Sequence, residues 1–356
     1  MTACAIEELV EAVRSTPRVL PVGARTKPRL SQVASDVALL SLCGLSGIIE
    51  YDPSEFTFTA LAGTPVRDIS AALAERGQYL PFDPFLLDAG ATLGGTVASG
   101  LSGPGRFRYG GLRDFILGVR FVDGEGRLLR MGGKVVKNAA GFDLPKFFVG
   151  SLGRFGVLAE LTFKVFPRPA ASRTLRLTVE TVEAGARVLG EAANSRYEPD
   201  ALDLLPDGRS ILLRLAAPES ALDVLAPEVL ARWPGAVLSG EEAEAVWREI
   251  REFRWTHPDG ALVKVALTSA QLPALHRALG AIDGVRIHAS AGGDVAFVSL
   301  PAENSIDATL RELGLSGITL RGTGPLWCGM QTERQITRAV KTALDAPNRF
   351  PSLDDS

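Results

Sequence analysis

Seventeen of the chain's 37 glycines fall between Gly90 and Gly156, without a repeat and without low complexity. Glycine at that density weakens ordinary helices and strands. It is of use where the backbone must enter conformations closed to side chains, or must come close to a ligand. The densest run is Gly90-Ala91-Thr92-Leu93-Gly94-Gly95-Thr96-Val97-Ala98-Ser99-Gly100-Leu101-Ser102-Gly103-Pro104-Gly105. Residues this small let backbone N–H groups converge on phosphate oxygens, and a helix beginning near Leu93 would add its positive end. A tight turn or a close helix–sheet contact accounts for any one of these glycines, but not for so many small residues in succession. No G-x-G-x-x-G joins a strand to a helix, and no G-x-x-x-x-G-K-[ST] loop occurs. Nicotinamide-dinucleotide and P-loop readings thereby lose their main support. A second small-residue loop, Gly23-Ala24-Arg25-Thr26-Lys27, follows the first expected strand and carries two cations. By itself it reads equally as a surface turn or as a diphosphate loop.

Charge is distributed unevenly. From Gly100 to Arg168 there are 12 Lys/Arg against 5 Asp/Glu, a local +7 in a chain of net −3, so the remainder carries −10. A basic, glycine-rich block in an otherwise acidic protein points to an anionic ligand held by that block. The net charge gives no general affinity for polyanions, so nucleic acid is not an expected partner. No apolar run approaches the ~18–20 residues that span a bilayer. Glu7 and Glu8 in an amphipathic start argue against a signal peptide. Three scattered cysteines, Cys4, Cys43 and Cys328, exclude a disulfide scaffold and any C-x-x-C metal or iron–sulfur site. The three histidines, His257, His276 and His288, all lie in the last third. No metal is expected, and a reducing, cytoplasmic setting is the default.

A chain of 356 residues, 46% hydrophobic and 22% charged, suggests two globular domains. Ile6–Arg14 reads as a helix. Strands are expected at Arg18–Val22, Val37–Leu42, Gly47–Tyr51 and Phe56–Leu61. Thr64-Pro65 should cap and open a helix that Gly77 closes. Phe115–Val122 and Arg127–Met131 flank Asp123-Gly124-Glu125-Gly126, a hairpin signal. In Val157–Val165 the apolar residues alternate with Glu160, Thr162 and Lys164, which predicts a strand with one polar face. Pro167-Arg168-Pro169 then breaks the pattern, and the boundary is placed at about residue 168. Beyond it, strands and helices mix in an α+β manner.

These motifs resemble the FAD-binding family typified by vanillyl-alcohol oxidase and p-cresol methylhydroxylase (PCMH), and within it the E-type FAD-binding subunits of bacterial glycolate oxidases. The resemblance is carried by Gly90–Pro104, Gly111-Leu112-Arg113-Asp114-Phe115-Ile116-Leu117-Gly118, Lys137-Asn138-Ala139-Ala140-Gly141-Phe142-Asp143-Leu144, Val149-Gly150-Ser151-Leu152-Gly153 and Gly156-Val157-Leu158-Ala159-Glu160. Ala343–Pro351 is similar to a worn form of the family's closing Asp-Pro…Asn-Pro-Gly-Arg segment. The resemblance implies an α+β architecture: a two-lobed PCMH-type FAD-binding domain at 1–168, an α+β cap domain at 169–335, and a C-terminal segment, 336–356, returning toward the FAD domain. It further implies that Gly23, Ala24, Arg25 and Thr26 line the pyrophosphate of FAD. Ala91, Thr92, Gly94, Gly95 and Ser99 would meet the pyrophosphate and ribityl chain. Gly103, Arg106 and Tyr109 would lie near the isoalloxazine, and Val157 at the adenine or flavin edge. Arg106 and Arg108 read equally as a solvated pair. Lys137-Asn138 would face the reduced flavin, or Asn138 would cap the next helix.

Some relatives attach FAD through a histidine of the FAD domain. That domain has no histidine here, and Cys43 reads as core on an apolar strand, so FAD is expected to be non-covalent. The related D-type subunits carry His-x-x-Gly-Asp-Gly-Asn-x-His, whereas this chain has His288-Ala289-Ser290-Ala291-Gly292-Gly293-Asp294-Val295-Ala296, without the second histidine. His288 is a weak candidate base. It reads more readily as a half-buried strand histidine with a backbone partner. His257 and His276 read as surface residues; Arg251, Arg254 and Trp255 cluster at a helix end and could face the flavin or a partner subunit, a solvated helix face being the simpler account.

The resemblance implies an FAD-binding subunit of a glycolate oxidase complex. Such a complex oxidises glycolate to glyoxylate and passes electrons through a D-type flavoprotein subunit and an iron–sulfur subunit; the small substrate is a 2-hydroxy acid, and membrane association, if any, runs through partners. Two alternatives stay open: a self-sufficient FAD-dependent dehydrogenase of a small 2-hydroxy acid, and a scaffold subunit without flavin.

Overall fold

A computed structural model describes residues 1–133, 143–301, 304–331 and 335–353. The chain divides into two compact units. The first comprises Met1–Ser102, Gly111–Arg168 and Glu333–Ser356; the second comprises Gly103–Gly110 and Pro169–Thr332.

The first unit is built on a five-stranded antiparallel sheet in the order Ile48–Asp52, Thr57–Leu61, Val157–Lys164, Ile116–Val122, Leu128–Gly132. Val157–Lys164 is the central strand. Its expected polar face is largely covered, because Glu160 pairs with Arg120 at 2.5 Å and Thr162 bonds the Thr59 hydroxyl at 2.9 Å. Phe58 and Phe163 stack at 5.7 Å, and Phe82 adds a tilted contact with Phe115 at 5.5 Å. Aromatic pairs of this kind stabilise beyond the area they bury. A second, parallel pair, Val19–Val22 with Ala38–Ser41, forms a separate layer.

The helix after Thr64-Pro65 runs Val66–Ala74 and has Pro65, not Thr64, at its N-cap position. Thr64 is buried, and its hydroxyl instead bonds the carbonyls of Gly47 and Leu61 and accepts from the Gly47 amide. Tertiary partners took the hydroxyl that local pattern assigned to the cap. Cys43, expected in the core, is exposed in the turn after Ser41, while Leu42 and Leu45 take the buried positions. The C-terminal segment packs within this unit, where the Leu344 and Arg349 carbonyls accept the Gly124 and Val19 amides, and is held in shape by buried Asp345. That carboxylate pairs with Lys341 and accepts the amides of Arg349 and Phe350 at 2.8 and 2.9 Å.

The second unit carries a nine-stranded antiparallel sheet among the described residues. Its order is Gly235–Val237, Ala171–Thr178, Ser210–Ala217, Ala201–Leu204, Arg286–Ser290, Val295–Leu300, Ala261–Ala266, Ser316–Arg321, Trp327–Gly329. One face is aliphatic and packs against the helices Val182–Ala193, Glu219–Arg232, Leu272–Leu279 and Asp307–Glu312. The other face meets Trp247 and Ile250 of the helix Gly240–Arg251. That helix starts on a full capping box, Ser239 with Glu242.

Candidate functional site

In the first unit the loop after Val19–Val22 and the helix Leu93–Ser99 face each other across a cavity. Its walls include Gly23, Ala24, Arg25, Thr26, Lys27, Thr92, Gly95, Ala98, Ser99 and Leu152. An adjoining cleft adds Gly94, Gly153, Gly156 and Leu158. Seven of the residues singled out from sequence, Gly23 to Thr26 with Thr92, Gly95 and Ser99, line one cavity, and Gly94 lines its neighbour. Ala91 lies beneath, its backbone bonded to Leu86 and Val66. Val157 is buried next to cleft-lining Leu158 and lines neither space. Gly103, Arg106 and Tyr109 belong to the second unit. Lys137 and Asn138 lie outside the described residues.

The two walls fit because side chains are missing. A Cβ on Gly23 would lie 2.1 Å from the Thr92 hydroxyl, so only glycine permits this approach. Gly94 is equally constrained from behind, where a Cβ would lie 2.9 Å from the Ala62 methyl.

The helix contributes less than its sequence suggests. The amides expected to point at phosphate are already bonded: Leu93 to the Thr64 carbonyl, Gly94 to the Ala62 carbonyl, Gly95 to the Thr92 hydroxyl at 3.2 Å and Thr96 to the Thr92 carbonyl. Ser99 spends its hydroxyl on the Thr96 carbonyl at 3.0 Å. The turn residues Ala62 and Thr64, together with the helix's own N-cap Thr92, satisfied the donors that an uncapped helix end would leave open.

The free donors are in the loop. Among the described residues, the amides of Gly23, Ala24, Arg25 and Thr26 have no protein acceptor. Arg25 adopts φ 54°, a left-handed conformation unusual for a side-chain-bearing residue. Lys27 completes the wall. It is 9% exposed, and its ammonium donates to the Thr26 hydroxyl at 3.0 Å without a carboxylate partner among the described residues. Burial lowers its pKa to about 8. A buried cation beside unpaired amides is the donor set that a diphosphate requires. In the sequence Lys27 counts only as one of the loop's two cations and is not among the residues expected to line the pyrophosphate, because position alone does not distinguish a buried lysine from a solvated one.

The second unit holds a different constellation. His288 is fully buried, with Nε2 2.9 Å from Asp203 Oδ2, a carboxylate partner rather than the expected backbone one. Asp203 also accepts from the Ser290 hydroxyl at 3.0 Å and the Ala291 amide at 3.1 Å. Trp255 and Phe297 present ring edges to the imidazole at 5.6 and 6.3 Å. Gly292, within the degenerate motif, lies against Phe107, whose ring a Cβ would meet at 2.7 Å. His257 is half-buried, with Nε2 2.6 Å from the Gly284 carbonyl oxygen. His276 is also half-buried, which lowers its pKa.

Arg108 forms an exposed pair with Glu198, but Arg106 is half-buried and its charge reaches Lys264. Burial, with this neighbouring charge, lowers the Lys264 pKa to about 8. Neither of the two side chains has a hydrogen bond or ion pair among the described residues. The two cations lie within electrostatic reach of each other.

Residues 2–132 match the family model described as "FAD binding domain". The chain is 37% identical over 249 residues to the glycolate oxidase subunit GlcE of Escherichia coli K12, covering 69% of this chain and 67% of that protein. It is 30% identical over 185 residues to the glycolate oxidase subunit GlcD of Bacillus subtilis 168, covering 51% of this chain but only 39% of that one. Among solved structures, an alkyldihydroxyacetonephosphate synthase superposes with a TM-score of 0.72 at 16% identity, over 98% of this chain and 75% of that one, a likeness of fold alone.

Proposed function

This chain belongs to the FAD-binding, PCMH-type family of oxidoreductases, and from that membership we propose that it is the FAD-carrying subunit of a complex that oxidises a small 2-hydroxy acid, with glycolate as the leading substrate. The observation that carries the reading is the cavity between the Gly23–Lys27 loop and the Leu93–Ser99 helix. It offers a buried cation and four unpaired amides, a set that fits the diphosphate of FAD.

When bound, the flavin supplies hydride acceptance from the α-carbon of the substrate and onward electron transfer. The chain's own residues hold it. Lys27 and the Gly23–Thr26 amides would meet the phosphate oxygens, while Gly23 against Thr92 keeps the walls close. The Gly94–Ala62 contact anchors the helix from behind. Non-covalent attachment is supported by the confinement of all three histidines to the second unit and by the lining of the cavity and its adjoining cleft, which includes neither Cys4 nor Cys43; the burial expected of Cys43 does not enter, since it is exposed.

The family relation to two proteins named as glycolate oxidase subunits supports partners of the D-type flavoprotein class; an iron–sulfur centre, if the complex holds one, would belong to a further subunit, since no C-x-x-C pattern occurs here. The burial of His288 supports oxidation of substrate on the partner rather than on this chain, since a general base must reach the hydroxyl proton. A second reading, turnover by this chain alone, is favoured by one observation: the Arg106–Lys264 pair could receive the carboxylate of a hydroxy acid.

Purification of the recombinant chain tests the reading. It should be yellow, bind about one FAD, and release the flavin into the supernatant on acid precipitation. A colourless chain that takes up no FAD from excess refutes it. Dye reduction by glycolate with the chain alone, against chain plus a D-type subunit, separates the two readings.

A further inference from the structure

We propose that Lys27 neutralises the cofactor's diphosphate and that the empty pocket takes up a proton there as the dinucleotide enters. This rests on the reading of the cavity as the FAD site. Lys27 is buried in the wall with a single hydroxyl partner. Among the described residues, the elements packed against its loop bring Thr92, Gly95, Ala98, Ser99 and Leu152 to the cavity and no carboxylate. Arg25, exposed on the same loop, is the other charge lining the space. An ammonium so placed loses hydration without gaining a counter-ion, which makes its neutral form accessible near pH 8. A diphosphate supplies that counter-ion, so the charged form is restored on binding. Binding and protonation are then linked. Below about pH 7 Lys27 is charged in both states and affinity is flat. Above about pH 8 each further unit of pH costs up to tenfold in FAD affinity.

The linkage also gives Lys27 opposite effects on the two states. In the flavin-free chain its charge is buried and unpaired, so removing it should stabilise the fold, whereas in the loaded chain removing it should weaken the complex.

The test is calorimetric titration of the flavin-stripped full-length chain with FAD between pH 6.5 and 9. It is run in two buffers of different ionisation enthalpy and repeated with Lys27→Met and Lys27→Arg. At pH 8 the wild type should take up about half a proton per FAD, and close to none at pH 6.5. Lys27→Met should bind roughly ten- to hundredfold more weakly, with no proton uptake, while its flavin-free form melts higher than wild type at pH 7. Lys27→Arg, which stays charged, should keep the affinity and lose the pH dependence; it also serves if the methionine variant does not fold. Tight FAD binding by the wild type with equal heats in both buffers at pH 8 overturns the proposal, as does unchanged affinity in Lys27→Met. A wild type that binds no FAD at any pH overturns the reading beneath it instead.

Discussion

Gly23→Ala is the most direct probe of the cavity, because one methyl group is enough to part its walls. The added carbon would lie 2.1 Å from Thr92 Oγ1 and 3.3 Å from Thr92 Cβ. Ordinary contact begins near 3.4 Å, so loop and helix must separate by about 1.3 Å or the threonine must rotate. Separation is overpacking, at about 1–3 kcal/mol. Rotation withdraws the hydroxyl from the Gly95 amide, a cap worth about 1 kcal/mol. Whichever route the structure takes, the predicted loss is roughly 1–3 kcal/mol, or roughly 2–12 °C in the midpoint of a unit this size. FAD should bind at least about tenfold more weakly, since the loop amides and Lys27 move with Gly23. Thermal unfolding and flavin titration measure the two losses. The companion is Gly23→Ala/Thr92→Ala. It removes the 2.1 Å contact and leaves only the 3.3 Å one, so the two substitutions together should cost about 1–2 kcal/mol less than the sum of the singles. If Gly23→Ala melts and binds flavin like wild type, or if the pair is simply additive, the close packing described here does not position the loop.

Other expectations follow from groups buried with specific partners. Asp345→Asn keeps shape but removes the charge that pairs with Lys341, and should cost about 3 kcal/mol, with earlier proteolytic release of the C-terminal segment. Asp203→Ala strands His288 Nε2, the Ser290 hydroxyl and the Ala291 amide, and should cost about 3–5 kcal/mol in the second unit, read by calorimetric unfolding. For Lys264 the folded pKa of about 8 lies below its ordinary 10.5, so the native chain binds fewer protons than the unfolded one between those values. Its contribution to stability therefore rises with pH over about 8 to 10.5; Lys264→Met should flatten that rise in a series of melts and, on the carboxylate-receptor reading, weaken glycolate binding below pH 8.

Local periodicity carried much of the secondary structure. The hairpin Ile116–Val122 with Leu128–Gly132 and the helix at Leu93 stand where turn residues and small-residue spacing indicated. What local pattern could not assign was ownership of polar groups. The Thr64 hydroxyl reads as a cap until Gly47 and Leu61 claim it, and the first amides of the Leu93 helix read as an anion site until Ala62, Thr64 and Thr92 satisfy them. Likewise Gly103–Gly110 reads as a continuation of the glycine run, yet its contacts place it in the second unit.

By itself the amino-acid order determined that small residues from two distant stretches leave room for a phosphate-bearing ligand, because the absence of side chains is a property of composition and needs no fold to be read. Only the tertiary structure decided which groups line that space. Burial converts Lys27 from one of many surface cations into an unpaired charge in a wall, and desolvation of that kind exists only once the loop and the helix have closed on each other.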